Sequence, residues 1–245
     1  MISIIIPVLN ESQSIKDLLF HLIDNASLKS ISEIIVVDGG STDGTQDIIK
    51  NVLKAKARDP ETSSGFTNQA NILLLNSSKG RAKQMNLGAK KAKGDILYFL
   101  HADSFPPNRY DQLILDEVNK RNNAGCFRMQ FDSNHWWLRL ASWLTQFSWR
   151  ACRGGDQSQF ITRALFDEIG GYDESYIIYE DNILINELYK RKEFVVINKK
   201  IRTSARLYKK VGVWKLQYHF WTIYVKKWFG ASAEEILIYY KKHIC

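Results

Sequence analysis

Short apolar runs alternate with amphipathic segments along the first hundred residues of the chain. Four runs, "ISIIIPV" (2–8), "EIIVV" (33–37), "NILLL" (71–75) and "DILYFL" (95–100), are typical of strands buried on both faces. Apolar residues recur at helical spacing between them, and a polar stretch at 56–69 predicts a surface loop. This alternation predicts an α/β fold with a mostly parallel central sheet flanked by helices.

The second half of the chain contains an aromatic segment, "HWWLRLASWLTQFSWR", that is predicted to be helical. Trp136, Leu140, Trp143 and Phe147 share one face of this helix because they recur at steps of four and three. We expect that face to point into the core. Contact with a membrane or an acceptor is the alternative.

A second aromatic stripe lies near the C-terminus, on a helix that Gly230 is expected to end. Its members are Trp214, Tyr218, Trp221, Val225 and Trp228. Lysines flank the stripe, as in helices that lie at a lipid headgroup layer. A helix docked on the domain with solvated lysines explains the pattern equally well, and both interpretations stay open. Ser232 and Glu235 predict a capping box for one last helix.

Charge is distributed unevenly along the 245 residues, whose net charge is +8. Residues 190–245 contain 14 Lys and Arg against three Asp and Glu, a net charge of +11, and residues 1–189 carry −3. A uniformly basic chain would favour nucleic acid, which we do not expect as a partner. The local basicity favours an anionic partner such as a lipid surface or phosphates.

Composition and the lack of targeting patterns limit the class of protein and its expected location in the cell. With 45% hydrophobic and 24% charged residues the chain is typical of one elaborated globular domain. It shows no secretory signal pattern and no apolar run near the roughly 18 residues of a membrane span. Cys126, Cys152 and Cys245 are odd in number and lack CxxC spacing, which argues against a disulfide framework or a zinc site. We expect a cytoplasmic protein, with peripheral contact to the inner face of the membrane as an option.

Polar side chains follow several of the predicted strands. Asn10 and Glu11 follow the first strand, Asp38 follows the second, and His101 and Asp103 follow the strand at 95–100. Because the carboxyl ends of parallel strands meet at one edge, where ligands bind, these residues are the first site candidates. Simpler interpretations exist: "DGGSTDGT" is also a normal turn with a helix cap, and Asp103 can cap a helix. Neither GxGxxG nor GxxxxGK[ST] occurs in the sequence, which disfavours a dinucleotide site and a phosphate-loop ATPase.

Four motifs occur in a specific order: "IIIPVLNES", "VVDGGSTDGT", "NLGAKKAKGDILYFLHADS" and "GGYDESYIIYEDNIL". In this order the chain resembles the family 2 inverting glycosyltransferases of GT-A fold, over about residues 2–200. "LHADS" with the later "GGDQSQF" looks like a subgroup of small, single-domain bacterial members. The resemblance implies a metal-dependent hexosyltransferase that moves a sugar from a nucleoside-diphosphate donor, a UDP- or GDP-sugar, to an acceptor hydroxyl. The basic, tryptophan-rich C-terminus suggests a lipid-linked or membrane-surface acceptor.

The resemblance also implies a domain plan. A GT-A domain would cover 1–205, with a nucleotide-binding half at 1–104 and an acceptor half at 105–205. The basic aromatic helices at 206–245 would belong to the same domain or make a peripheral membrane contact.

The motif after the strand at 95–100 implies a metal site. Asp103 matches the last carboxylate of the family's Asp-x-Asp motif, which holds Mn²⁺ or Mg²⁺ on the donor diphosphate. His101 stands in place of the first Asp and is a second candidate ligand, or a hydrogen-bond partner of the ribose or diphosphate. Gly39 replaces the second of two successive acids that begin with Asp38, so the identity of the nucleotide stays open.

Asp181 in "YED" (179–181) matches the family's general base, with Glu180 as the alternative. Ordinary helix-dipole partners are the simpler explanation for this acidic pair. The remaining candidates are, for the nucleotide sugar, Pro7, Asn10, Glu11, Asp38, Arg81, Lys83 and Ala102, and, for donor or acceptor groups, Asp156, Gln157 and Arg206.

Two other functions compete with the transferase. A sugar-nucleotide nucleotidyltransferase would need a glycine-rich basic loop after the first strand, and "PVLNES" has none. A catalytically inactive GT-A fold acting as a lipid-surface or RNA-binding module would explain the basic tail and the departures at His101 and Gly39. Asp103 and Asp181 argue against that loss of activity.

Overall fold

The computed structural model describes residues 1–27, 30–58 and 71–244. The strands are β1 Ile2–Val8, β2 Ile31–Asp38, β3 Asn71–Asn76, β4 Ile96–Phe99, β5 Ser104–Phe105, β6 Ala124–Phe131, β7 Gln159–Thr162 and β8 Val195–Thr203. The helices are α1 Ile15–Asp24, α2 Thr45–Arg58, α3 Arg81–Lys91, α4 Tyr110–Asn119, α5 Trp136–Leu144, α6 Arg163–Ile169, α7 Glu180–Lys190, α8 Arg206–Val211, α9 Val213–Trp228 and α10 Ala233–His243. Helix α2 runs into the loop predicted at 56–69, and the rest of that prediction lies outside the described residues.

The strands form one eight-stranded sheet in the order β3-β2-β1-β4-β7-β6-β8-β5. Strands β3, β2, β1 and β4 are parallel, which confirms the prediction for the first half of the chain. Strand β7 is antiparallel to both β4 and β6, β8 is parallel to β6, and the two-residue β5 is antiparallel to β8. Strands β1, β2, β4, β6 and β8 therefore all end at the same edge of the sheet.

The core lies on both faces of the parallel half. Every residue of β1 is buried, because helices cover the sheet on each side. On one side α3 approaches β1 so closely that a Cβ on Gly88 would lie 2.4 Å from Ile5 Cγ2. A glycine is required at this contact because no larger residue fits between helix and strand.

The prediction that the first aromatic stripe faces the core is wrong. Trp136, Leu140 and Trp143 are exposed on α5, and Leu138 is the buried residue of this helix. Helix α5 ends at Leu144, so Phe147 lies beyond it. The 3.6-residue period correctly grouped the stripe on one face, but periodicity does not say whether that face meets the core.

Helices α8, α9 and α10 pack on one another and on the segment before α7. Leu216 and Ile223 of α9, Ile236 of α10 and Ile244 directly after α10 form one buried cluster with Tyr176. The capping box of α10 is confirmed: Ser232 Oγ accepts from Glu235 N–H, and the Glu235 carboxylate accepts from Ser232 N–H. Gly230, at φ +90°, follows the end of α9 as expected.

No helix in the described part of the chain is long and apolar enough to cross a bilayer. Cys126 and Cys152 are free thiols, and Cys245 lies outside the described residues.

Candidate functional site

The sheet topology brings most of the predicted site residues to one edge. Val8 at the end of β1 is in register with Asp38 at the end of β2. Phe99 at the end of β4 is paired with Gln159, the first residue of antiparallel β7. The segments after β1, β2, β4 and β8 and the segment before β7 therefore meet at one edge, as expected for a ligand site in an open α/β sheet.

The loops after β1 and β2 are tied into one unit. Asp38 is fully buried and accepts hydrogen bonds from Gly40 N–H, Ser41 N–H, the Ser41 hydroxyl and Gln46 Nε2. Burial would raise the pKa of Asp38, but these donors together hold it below its usual value. Asn10 accepts from Thr42 N–H at 2.9 Å. The turn and helix-cap interpretation thus accounts for the side chain of Asp38.

Gln84 is a buried side chain that the sequence analysis missed. Its Nε2 donates to the carbonyl oxygens of Val8 at 2.8 Å and Val37 at 2.7 Å, so it ties the ends of β1 and β2 together. A Cβ on Gly39 would lie 3.0 Å from Gln84 Oε1. An acidic side chain at position 39 would crowd Gln84, which gives a physical reason for the glycine there. A polar residue among the buried Ala82, Met85 and Gly88 of α3 was the available signal.

His101 lies between two carboxylates from distant parts of the chain. Its Nδ1 is 3.5 Å from Asp156 Oδ1 and its Nε2 is 3.8 Å from Asp181 Oδ2. Burial would lower the pKa of His101, but its hydrogen bond to Asp156 and the charge of Asp181 hold it above its usual value. Burial likewise acts to raise the pKa of Asp156, and His101 outweighs it, so that pKa is lowered. The three side chains form a linked acid–imidazole–acid row.

Gly155 makes this row sterically feasible. A Cβ on Gly155 would lie 2.0 Å from Asp181 Oδ2 and 3.0 Å from His101 Cε1. Real Cβ atoms do not approach other atoms this closely, so only glycine lets the loop before β7 pass Asp181.

Asp103 lies beside a second charged pair at the rim. Arg206 contacts both carboxylate oxygens of Glu11, with Nη1 2.8 Å from Oε2, and its Nε is 3.5 Å from Asp103 Oδ2. Burial raises the pKa of Asp103, with Asp156 and Glu11 adding to this and His101 and Arg206 opposing it. The rim therefore concentrates acidic side chains around Asp103, a setting that favours a cation.

Helix α7 begins with the acidic pair. Glu180 is fully buried, and Arg81 Nε at the start of α3 is 2.6 Å from its Oε1. Burial raises the pKa of Glu180 to about 7, against the opposing charge of Arg81. Arg150, also missed by the sequence analysis, donates to Asn182 Oδ1 at 2.9 Å and to Asn186 on the same helix. These contacts fix the start of α7 and with it the position of Asp181.

Three non-glycine residues next to the site have left-handed backbone conformations. They are Asn10 at φ +57°, Ser158 at φ +57° and Tyr179 at φ +75°. Such a conformation is unfavourable for a bulky tyrosine, and strained residues of this kind concentrate at functional sites. Tyr179 directly precedes the acidic pair.

Several predicted residues do not present their side chains at this edge. Gln157 is buried, donates to Cys152 O at 2.6 Å and accepts from Arg153 Nη1 at 2.6 Å. It has a structural role in a network around the buried Arg153, so its placement does not support contact with a sugar. Pro7 and Ala102 are buried, and they shape the backbone of the edge. Lys83 is exposed on α3.

Among the described residues no group of three or more His, Cys, Asp or Glu side chains is placed to hold a metal ion. A cation at Asp103 would therefore take most of its ligands from oxygen atoms outside this chain. Both ring nitrogens of His101 already face carboxylates, so Asp103 is the better-supported ligand.

Comparison with known proteins gives the family. The model described as "Glycosyl transferase family 2" matches residues 3–197. Glycosyltransferase AglE of Haloferax volcanii is 32% identical over 109 residues, which are 44% of this chain and 32% of AglE. Undecaprenyl-phosphate 4-deoxy-4-formamido-L-arabinose transferase of Aeromonas hydrophila is 28% identical over 164 residues, 65% of this chain and 46% of that protein. The chain thus spans between a third and a half of these relatives.

Solved structures share the fold. Staphylococcus aureus TarS 1-349 in complex with UDP-GlcNAc superimposes with a TM-score of 0.62 at 18% identity, covering 83% of this chain and 58% of that one. Mannosyltransferase PcManGT from Pyrobaculum calidifontis in complex with GDP-Man and Mn²⁺ gives a TM-score of 0.60 at 17% identity, covering 91% and 59%. These matches confirm the predicted GT-A type of α/β fold.

Proposed function

The chain belongs to glycosyl transferase family 2, and on this premise we propose that it transfers a sugar from a nucleoside-diphosphate sugar to an acceptor hydroxyl with inversion. One observation carries the proposal: the chain folds so that Asp181, Asp156, His101 and Asp103 meet at the carboxyl edge of the sheet. An inactive fold has no need to keep these groups together, since the side chains of His101 and Asp181 are largely buried and burying charged groups without a ligand is costly.

Asp181 is the proposed general base. Inverting transfer needs a carboxylate that takes the proton of the acceptor hydroxyl while the oxygen attacks the anomeric carbon opposite the leaving diphosphate. Asp181 suits this role because its backbone is fixed at the start of α7 and Gly155 leaves its Oδ2 uncovered by a side chain. Glu180 is fully buried against Arg81, so it is a positioning residue in this proposal.

The donor would lie along the rim between β1 and β4. Asn10, Glu11 and the turn held by Asp38 would border the nucleoside, and Arg81, which is 40% exposed, would reach the diphosphate from α3. Arg206 joins Glu11 to Asp103 and would meet the same phosphates. A guanidinium grips phosphate oxygens in a bidentate manner, which suits both arginines.

The residues fit a divalent cation. Asp103 lies at a partly exposed rim beside Asp156 and Glu11. Burial and these two negative charges raise its pKa, and a bound cation would offset the repulsion. Asp103 would hold Mn²⁺ or Mg²⁺, with His101 as the second candidate. When bound, the ion offsets the charge of the diphosphate and stabilises it as a leaving group. His101 and Asp156 would hold the row of charges in place beside it, so that the site is arranged before the donor arrives.

The names of the relatives support a lipid-borne acceptor, since several are undecaprenyl-phosphate transferases. Such an acceptor would place the reaction at the inner face of the cytoplasmic membrane. Our proposal commits to a hydroxyl as the attacking group, because a hydroxyl must lose a proton and Asp181 is the base that we propose for it. A phosphate oxygen is already ionised and needs no base.

Calorimetric titration of UDP, GDP, dTDP and CDP, each with Mn²⁺ and with excess EDTA, tests the donor site. We expect one diphosphate to bind with micromolar affinity and EDTA to remove that binding. Lack of binding by every diphosphate would overturn the proposal and favour the inactive-fold alternative.

The Asp181→Asn variant tests the base. We expect donor affinity within about twofold of the parent and a loss of turnover of about 100-fold or more, the usual contribution of a general base. Turnover on a phosphate acceptor that is unchanged in Asp181→Asn would contradict the hydroxyl as the attacking group.

A further inference from the structure

Helices α5 and α9 each expose a full apolar stripe. The two stripes together, which we call the tryptophan surface, consist of Trp136, Leu140 and Trp143 on α5 and Trp214, Tyr218, Trp221, Val225 and Trp228 on α9. Exposure reaches 60% for Trp136, 62% for Tyr218 and 84% for Trp228. The opposite face of α9 carries Leu216, His219 and Ile223, which are buried. The stripe is therefore the outward face of a helix that is already docked.

The two stripes join, although 78 residues separate Trp136 from Trp214 in the chain. The ring centroids of Trp136 and Trp214 are 5.6 Å apart, and Trp137 is 5.4 Å from Trp214 and 5.9 Å from Trp221. Trp137 Nε1 also donates to Gln217 Oε1 at 3.1 Å. Exposed apolar area that is continuous across two helices exceeds what scattered surface residues explain and marks an interaction surface.

Cations border this surface. Arg139, between the α5 positions, and Lys215, next to Trp214, are exposed, and so is Lys226 beside Val225. From Arg206 to Ile244 the only acids are Glu234 and Glu235, in the first turn of α10, and Glu235 is engaged in the capping box. Tryptophan and tyrosine rings flanked by lysine and arginine are the composition that proteins place at the headgroup layer of a bilayer.

A groove of about 590 Å³ lies between α5 and β6. Arg128, Arg139 and Lys200 line it together with Trp136, Leu140 and Trp143. Arg128 Nε is buried without a hydrogen-bond partner in the described structure. A groove lined by both cations and apolar rings suits a lipid phosphate with its first acyl carbons.

We propose that the tryptophan surface docks the protein on a bilayer that contains anionic phospholipid. Self-association is the main rival for such a surface. In a twofold dimer the same patch would meet itself, so Arg139, Lys215 and Lys226 would all lie in one interface with the same three cations of the partner. Like charges of this kind oppose a dimer and favour an anionic lipid.

Docking in this way would bring the proposed site to the membrane. Arg206, which contacts Glu11 and approaches Asp103, is the first residue of α8, and α9 begins two residues after α8 ends. Six residues of helix span only about 9 Å. A lipid-borne acceptor held at the Trp214 end of the tryptophan surface would thus lie near the rim of the site.

Vesicle binding followed by tryptophan fluorescence tests this proposal. All seven tryptophans lie within 136–149 and 214–228, and six of them are exposed, so the emission reports on this region. With vesicles of phosphatidylcholine and one third phosphatidylglycerol at low salt, we expect a blue shift, quenching by brominated acyl chains and co-flotation. Phosphatidylcholine alone should bind at least about tenfold more weakly, and high salt should weaken the binding to anionic vesicles.

Two double variants separate the contributions. Tyr218→Ser with Trp228→Ser removes the two most exposed rings of the stripe and should lower the partition coefficient about tenfold or more. Arg139→Glu with Lys215→Glu should abolish the preference for anionic vesicles. Lys54→Glu with Lys90→Glu, exposed on α2 and α3, makes the same change of charge elsewhere and should leave binding unchanged. Thermal unfolding of each variant confirms that it is folded.

Protein that stays at the bottom of the gradient at low salt would overturn the proposal. So would equal binding by the Tyr218→Ser/Trp228→Ser variant, or a blue shift without vesicles accompanied by a dimer in sedimentation. The inference does not depend on the proposed transfer reaction, because the assay contains no donor or acceptor. The vesicle-binding test and the test of nucleotide binding can therefore give opposite results.

Discussion

Replacing Gly155 with alanine tests whether Asp181 works from the position found in the structure. The new Cβ would lie 2.0 Å from Asp181 Oδ2 and 2.7 Å from Asp181 Cγ. Contacts below 3.0 Å are essentially never seen, so the carboxylate or the loop must move by about 1 Å or more. A misplacement of about 1 Å in a catalytic group can reduce the rate about 100-fold, or about 2.7 kcal/mol of transition-state stabilisation.

The assay is the release of nucleoside diphosphate from the donor that calorimetry identifies, with kcat and KM determined separately. We expect kcat to fall about 100-fold while donor affinity changes by less than about threefold, because the rim around Asp103 and Glu11 is untouched. Gly154→Ala is the matched control, since a Cβ there meets nothing within 4 Å. That variant should retain the activity of the parent.

Equal activity of Gly155→Ala and Gly154→Ala would refute the reasoning, because Asp181 would then not act from beside Gly155. Loss of donor binding in Gly155→Ala alone would also contradict it. In that case the row of His101, Asp156 and Asp181 would belong to the donor site.

Three further predictions follow from single contacts. In Asp103→Asn the Mn²⁺-dependent part of nucleotide binding should fall about 100-fold, as calorimetry with and without EDTA will measure. The midpoint of thermal unfolding should stay the same or rise, because burial already disfavours this carboxylate. Unchanged Mn²⁺ dependence of nucleotide binding would exclude Asp103 as the ligand. Burial raises the pKa of Glu180 from its ordinary 4.5 to about 7, so between these two pH values the folded state holds a proton that the unfolded state has lost. The free energy of unfolding therefore falls as the pH rises from 4.5 to about 7. Relative to the parent, Glu180→Gln should therefore be more stable at about pH 8 than at about pH 5, as urea unfolding at both values will show; a difference independent of pH would contradict the raised pKa. Gln84→Leu leaves two buried carbonyl groups without their donor and should lower the free energy of unfolding by about 2–4 kcal/mol, whereas Gln112→Leu, whose partner Asp116 is exposed, should change it by less than about 1 kcal/mol.

The parallel half of the sheet could be predicted from the sequence because its signal is local. Each strand of that half is a short apolar run, and the crossover helices between them have their own apolar period. Strand β8 has no such signal: it is nine residues long with several charged positions, and three of its consecutive residues, Asn198, Lys199 and Lys200, are exposed. Its place beside β6 depends on long-range pairing, which propensity does not encode.

In the candidate site, too, some residues could be predicted from the sequence and others could not. Strand ends identified Asn10, Asp38, His101 and Asp103, because the topology of a parallel sheet carries those positions to one edge. The link from His101 to both Asp156 and Asp181 could not be predicted, since it depends on how the loop before β7 and the start of α7 pack together. The contact between Arg206 and Glu11 joins residues 195 positions apart. The resemblance to the family named these residues, and only the three-dimensional structure shows which of them touch.

The outward stripe of α5 shows why hydrophobic periodicity alone misjudges such helices. A period of 3.6 says that Trp136, Leu140 and Trp143 share a face, and it gives no information on what that face meets. Helix α9 shows what else must be considered to decide which face is buried. It has a second set of apolar residues, Leu216 and Ile223, on the side opposite the aromatic stripe. A helix needs only one face to dock, and in α9 the docked face is the one that carries Leu216 and Ile223. The face that combines large aromatic rings with neighbouring lysines is then left for an interface, where rings tolerate water at one edge and cations can reach anionic headgroups. By this criterion the stripe of α9 would be assigned outward from the sequence alone, and α5, with Leu138 buried and Arg139 exposed, follows the same rule.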